Sequence, residues 1–104
     1  MIAEHYGKIF GEAGDSVIAE FGSPIKATEC AVQMQDRMLV MNENSPPDQQ
    51  MNFRIGINIG DVMVTQNNLY GEAVNVAARL ESVANPSGIC ISKPVFDMIN
   101  QKIQ

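Results

Sequence analysis

An asparagine and an arginine on one face of a helix are suited to hold a phosphorylated ligand. In the stretch 68–81, NLYGEAVNVAARLE, the residues Glu72, Asn75, Arg79 and Ser82 follow one another at steps of three or four. On a helix they share a face. Asparagine offers a donor and an acceptor, and arginine offers a rigid fork of donors matched to phosphate oxygens, a pairing that suits a nucleotide better than an apolar ligand. Spacing alone nevertheless favours the plainer reading, a solvated helix face with an internal ion pair. Asp15 follows Gly14 at the tip of a chain reversal, where an exposed carboxylate can hold a hard cation such as Mg²⁺. Turn aspartates need no metal to explain them. The single histidine, His5, has no acid or nucleophile at a telling distance, and the chain contains neither a Ser/His/Asp set nor a P-loop.

The elements that must position these residues follow from the hydrophobic pattern. Residues 8–13 and 16–21 read as a hairpin reversing at Gly14-Asp15. Ser23-Pro24 then opens a helix of roughly five turns, with Ala27, Cys30, Ala31, Met34, Met38 and Met41 at helical spacing. Residues 42–50, with Ser45-Pro46-Pro47-Asp48 at their centre, read as an exposed loop. Phe53, Ile55, Ile57 and Ile59 alternate with Arg54, Gly56, Asn58 and Gly60, so the next strand has one apolar face and one face whose glycines admit a close neighbour. Gly60-Asp61 is expected to reverse it into a second run at 62–65, making another hairpin. A second helix from Glu72 carries the stripe Ala73, Val76, Ala77, Leu80, Val83 and Ala84. A short buried strand at 89–91 and a last helix at 94–103, opened by Ser92, complete the chain. The order ββ, α, ββ, α, β, α fits an α+β architecture of the split-βαβ, ferredoxin-like type with helices on one face.

Composition narrows the function classes. The 104 residues fit one small domain or part of one. Seven basic against 12 acidic side chains give a formal charge of -5, which argues against coating nucleic acid. No segment reaches the ~18 uninterrupted apolar residues of a membrane helix. Cys30 and Cys90 read as reduced core thiols, and the first residues lack the pattern of a secretion signal, so a cytoplasmic location is expected.

Three motifs, taken together, carry more than any residue alone. GDSVIAEFGSP at 14–24, FRIGINIGDV at 53–62 and YGEAVNVAARLE at 70–81 resemble, in order and spacing, the catalytic domain of class III adenylate/guanylate cyclases. PSGICIS at 86–92 continues the likeness, which covers nearly the whole chain. The resemblance implies a domain that converts ATP or GTP into a 3′,5′-cyclic nucleotide and pyrophosphate. It implies sites formed between two head-to-tail domains, in a homodimer or with another cyclase domain. By position, Asp15 matches the second of two aspartates that bind Mg²⁺ or Mn²⁺, Asn75 the asparagine that orients the ribose, and Arg79 the arginine that stabilises charge on the α-phosphate. Gly11 and Asn68 stand where adenine-specific members carry a lysine and an aspartate, so neither supplies a charged contact to the base.

The family domain also begins with a strand bearing the first metal aspartate and carries a later lysine for the triphosphate, and neither is found in 1–104. The expectation is therefore a partial domain: a cyclase-type sheet that is incomplete, lacks its first strand, and is impaired in activity by itself. The alternative is a non-catalytic cyclase-like module that binds nucleotide or serves as a dimerising partner.

Overall fold

The computed structural model describes residues 2, 5, 7–13, 16–65 and 68–103. Strands β1 (Gly7–Ala13) and β2 (Ser16–Phe21) pair antiparallel, as the first hairpin requires, with an irregular register between Ile9 and Gly11. Helix α1 (Pro24–Glu43) begins where the sequence places it. Ser23 is extended, at φ -153 and ψ 141, and its Oγ accepts from the backbone N–H groups of Ile25 and Lys26 at 3.1 and 3.2 Å. This cap satisfies donors that the first turn cannot satisfy itself, and Pro24 is preset for the opening position. The polar loop that follows contains a 3-10 turn, Pro47–Gln49. Asn42 closes it by exchanging two hydrogen bonds with the Met51 backbone, at 2.7 and 2.9 Å.

The second predicted hairpin is corrected. Strand β3 (Ile55–Ile57) does not turn back into the next run but pairs in parallel with β6 (Ile89–Ile91), Ile57 opposite Ile91. The antiparallel partner of β4 (Met63–Thr65) is β5 (Asn68–Tyr70), a strand too short to show periodicity. Between β3 and β6 run β4, β5 and helix α2 (Glu72–Val83), the long crossover that a parallel pair needs. Helix α3 (Lys93–Ile103) closes the order. The described strands form three two-stranded pairs, and β1 also lies alongside β5.

The core sits on one side of the β3–β6 pair. Ala31 of α1, Ile57 of β3 and Val95 of α3 are buried together, with Ala27, Ile55, Ile89, Ile91 and Ile99 packed around them. Gln35 of α1 donates to the carbonyls of Phe53 and Gly88, each at 3.1 Å, tying the helix to the entry of both strands. Helix α2 takes the opposite side. A Cβ on Gly56, whose neighbours Ile55 and Ile57 face the core, would run into the backbone of Ala77 and Glu81. Helices thus flank both faces of this pair, not one face as expected. The cause is the alternation itself, since isoleucines seat α1 and α3 while the intervening glycine seats α2. The close neighbour expected at the glycines is α2 in both cases, because a Cβ on Gly60 would meet that of Ala73 at 2.8 Å.

Two members of the predicted apolar stripes lie outside. Met41 is exposed in the last turn of α1, and Val83 is exposed at the end of α2, while its neighbour Ala84 is buried. Cys30 is buried and Cys90 half-buried, and neither forms a disulfide. No helix of the described residues is long and apolar enough to cross a membrane.

Candidate active site

Helix α2 is aimed by its first turn. Gly71 adopts φ 135, in the region glycine tolerates and side chains disfavour, and its carbonyl accepts from the N–H groups of Val74 and Asn75 at 3.1 and 3.3 Å. An added Cβ there would also meet the Asp61 carbonyl oxygen at 3.2 Å. Asn58, just beyond β3, donates from Nδ2 to the Ala73 carbonyl at 3.1 Å, while Gly60 lies against the Ala73 side chain. Segment 58–61 therefore fixes both the start of α2 and its rotation about its own axis. With Ala73 and Ala77 turned inward, Glu72, Asn75 and Arg79 face out, and all three are exposed.

On that face Arg79 Nη2 donates to Glu72 Oε1 at 3.0 Å, the internal ion pair that the spacing allowed. Both side chains are largely open, at 70% and 78% exposure, so solvent screens the pair. The fourth residue of the face is otherwise engaged: Ser82 Oγ donates back to the Ala78 carbonyl at 3.0 Å. A ligand approaching α2 would thus meet the Asn75 amide and the Arg79 guanidinium, with the Glu72 carboxylate beside them.

The remaining candidates lie on the hairpins. Gly11 is in β1 opposite Ile18, and Asn68 begins β5 opposite Thr65. Because β1 runs alongside β5, the strands that carry them are neighbours. Asp15 lies outside the described residues. Among the described residues no group of three or more His, Cys, Asp or Glu side chains could hold a metal ion. The metal assignment rests on the sequence position of Asp15.

Sequence reasoning passed over Asn58 and the conformational role of Gly71, which together aim the helix. A signal for Asn58 was present, since it shares the small-residue face of the strand pattern with Gly56 and Gly60.

Residues 3–104 match the family model described as the adenylate and guanylate cyclase catalytic domain. The chain belongs to this family. It is 40% identical over 100 residues to the "Putative adenylate cyclase 3" of Rhizobium meliloti (strain 1021), an alignment covering 96% of this chain and 17% of that protein. It is 28% identical over 95 residues to "Serine/threonine-protein kinase pkn2" of Myxococcus xanthus, covering 91% of this chain and 11% of that one. The crystal structure of an adenylate/guanylate cyclase/hydrolase from Silicibacter pomeroyi matches with a TM-score of 0.91 at 38% identity, over 97% of this chain and 60% of the other. The cyclase domain thus spans a small share of the curated relatives and somewhat more than half of the solved one. The family read from the three motifs is the family found.

Proposed function

We propose that the domain contributes to a nucleotidyl cyclase centre that converts ATP or GTP into the 3′,5′-cyclic nucleotide and pyrophosphate. The observation that carries this reading is the outward face of α2, where a cyclase-family chain presents an exposed asparagine and an exposed arginine one turn apart. In this reading Asn75 orients the ribose by accepting from and donating to its hydroxyls. Arg79 directs its fork at the α-phosphate, where negative charge accumulates as the 3′-oxygen attacks and pyrophosphate leaves. Gly11 and Asn68 border the base. Asp15 supplies one ligand for Mg²⁺ or Mn²⁺, which when bound would activate the 3′-hydroxyl and clamp the triphosphate.

A face this open does not enclose a substrate. The reading therefore includes a head-to-tail dimer, with a second copy or another cyclase domain, in which Asn75 and Arg79 reach the metal side of the partner. It also takes the three strand pairs as parts of one split-βαβ sheet.

The test is complementation with a cyclase domain whose own equivalents of Asn75 and Arg79 have been removed. Cyclic nucleotide should appear on mixing with the wild-type chain and fall by about 100- to 1,000-fold with Arg79→Ala, the usual cost of losing one donor to a developing oxyanion. Stability should change by less than about 0.5 kcal/mol, as for an ordinary surface substitution. Silence from a dimerised mixture would leave a non-catalytic partner module, and a large loss of stability would make Arg79 structural.

A further inference from the structure

Arg79 does not stand alone on α2. At about 100° per residue, Glu72 and Arg79 lie about 20° apart around the helix axis and about 10 Å apart along it, with Asn75 between them and about 40° to one side of Arg79. To bring Nη2 within 3.0 Å of Glu72 Oε1, the arginine must extend back toward the start of the helix. That is the direction in which helical Cα–Cβ bonds tilt. The guanidinium is drawn past Asn75 to a carboxylate in the first turn, where the helix dipole favours negative charge. Carboxylate and phosphate oxygens engage the same donor fork. They cannot both hold the same N–H.

We infer that Glu72 is a positioning residue that stows the Arg79 guanidinium along α2 beside Asn75 and yields it to a nucleoside triphosphate. This rests on the reading of Arg79 as a phosphate ligand given above. The hold is weak by construction, because both partners are more than two-thirds exposed, so the arginine is kept on its own helix without being locked there. Glu72 then sets how tightly the nucleotide binds, and Arg79 whether its phosphates are gripped.

The test is calorimetric titration with ATP and with GTP, in the presence of Mg²⁺, of the full chain mixed with the complementing cyclase domain that lacks its own equivalents of Asn75 and Arg79. Glu72→Gln, which keeps the length and removes the charge, should tighten binding by about two- to fivefold, the range set by an exposed ion pair. Loss of a merely structural contact would weaken it instead. Arg79→Ala should weaken binding by at least about tenfold, the scale of a charge-assisted contact. Asp36→Asn, an exposed carboxylate on α1, should leave binding unchanged. Equal or weaker binding by Glu72→Gln, with Arg79→Ala still impaired, overturns the role of Glu72 and leaves the phosphate reading standing. Equal tightening by Asp36→Asn overturns it as well, in favour of net charge alone. If Arg79→Ala binds as wild type does, or the wild type binds neither nucleotide, the phosphate reading falls and the role of Glu72 falls with it.

Discussion

Helices α1 and α2 are fastened to opposite faces of the same two-stranded pair by different means. Helix α1 is held by side chains: Cys30 and Ala31 are almost fully buried, Val95 of α3 fills the space beside Ala31, and Gln35 reaches across to two strand carbonyls. Helix α2 buries no residue so completely. It is held by backbone contact over Gly56, by Asn58 on the Ala73 carbonyl, and by the close fit of Gly60. A helix attached through small residues keeps its long polar side chains on the far side. That is why the face carrying Asn75 and Arg79 can be fixed in orientation and still be open.

The contrast can be broken most directly at Gly56. Gly56→Ala should cost about 3 kcal/mol or more in denaturant unfolding, at the upper end of overpacking penalties, because the atoms it would strike are helix backbone and cannot rotate away. Gly22→Ala, where an added Cβ meets nothing within 4 Å, is the control. An unaffected Gly56→Ala would show that α2 is not held by this approach. The α1 side should respond to lost volume instead. Val95→Ala should cost about 2 kcal/mol, from two buried methyl groups and the cavity they leave. A cost near zero in the same unfolding measurement would mean that this core collapses freely around the gap. The smallest effect is expected at the start of α1, where Ser23→Ala removes the acceptor of two backbone N–H groups and should cost about 1 kcal/mol. Ser23→Asp should restore it, and failure of that rescue would separate the hydroxyl from the cap.

Much of this architecture was legible because its determinants are local. The start of α1 is written in Ser23-Pro24, and the first hairpin in two runs either side of Gly14-Asp15. The alternation of isoleucine with glycine and asparagine from 53 to 60 announced a close neighbour on one face, though not which element it would be. Partner choice for the strands was not legible. The reversal at Gly60-Asp61 looked sufficient for a hairpin, but glycine there serves α2 packing, and β4 finds its partner downstream in β5. Nor could a stripe of apolar residues announce that Met41 and Val83 would be left exposed at helix ends.

For the site, residue types and spacing settled which side chains share a face, since 72, 75 and 79 align on any helix of ordinary geometry. The three motifs fixed the family. Tertiary structure decided which way that face points, because the rotation of α2 is set by contacts with Gly56, Asn58 and Gly60 that lie 13 or more residues away in sequence. The Glu72–Arg79 ion pair and the return of Ser82 to the Ala78 carbonyl both lie within α2 itself, and the spacing had already allowed the first. Local pattern fixes periodicity because it depends only on backbone geometry. Orientation depends on which distant surfaces are complementary, and that is settled only when they meet.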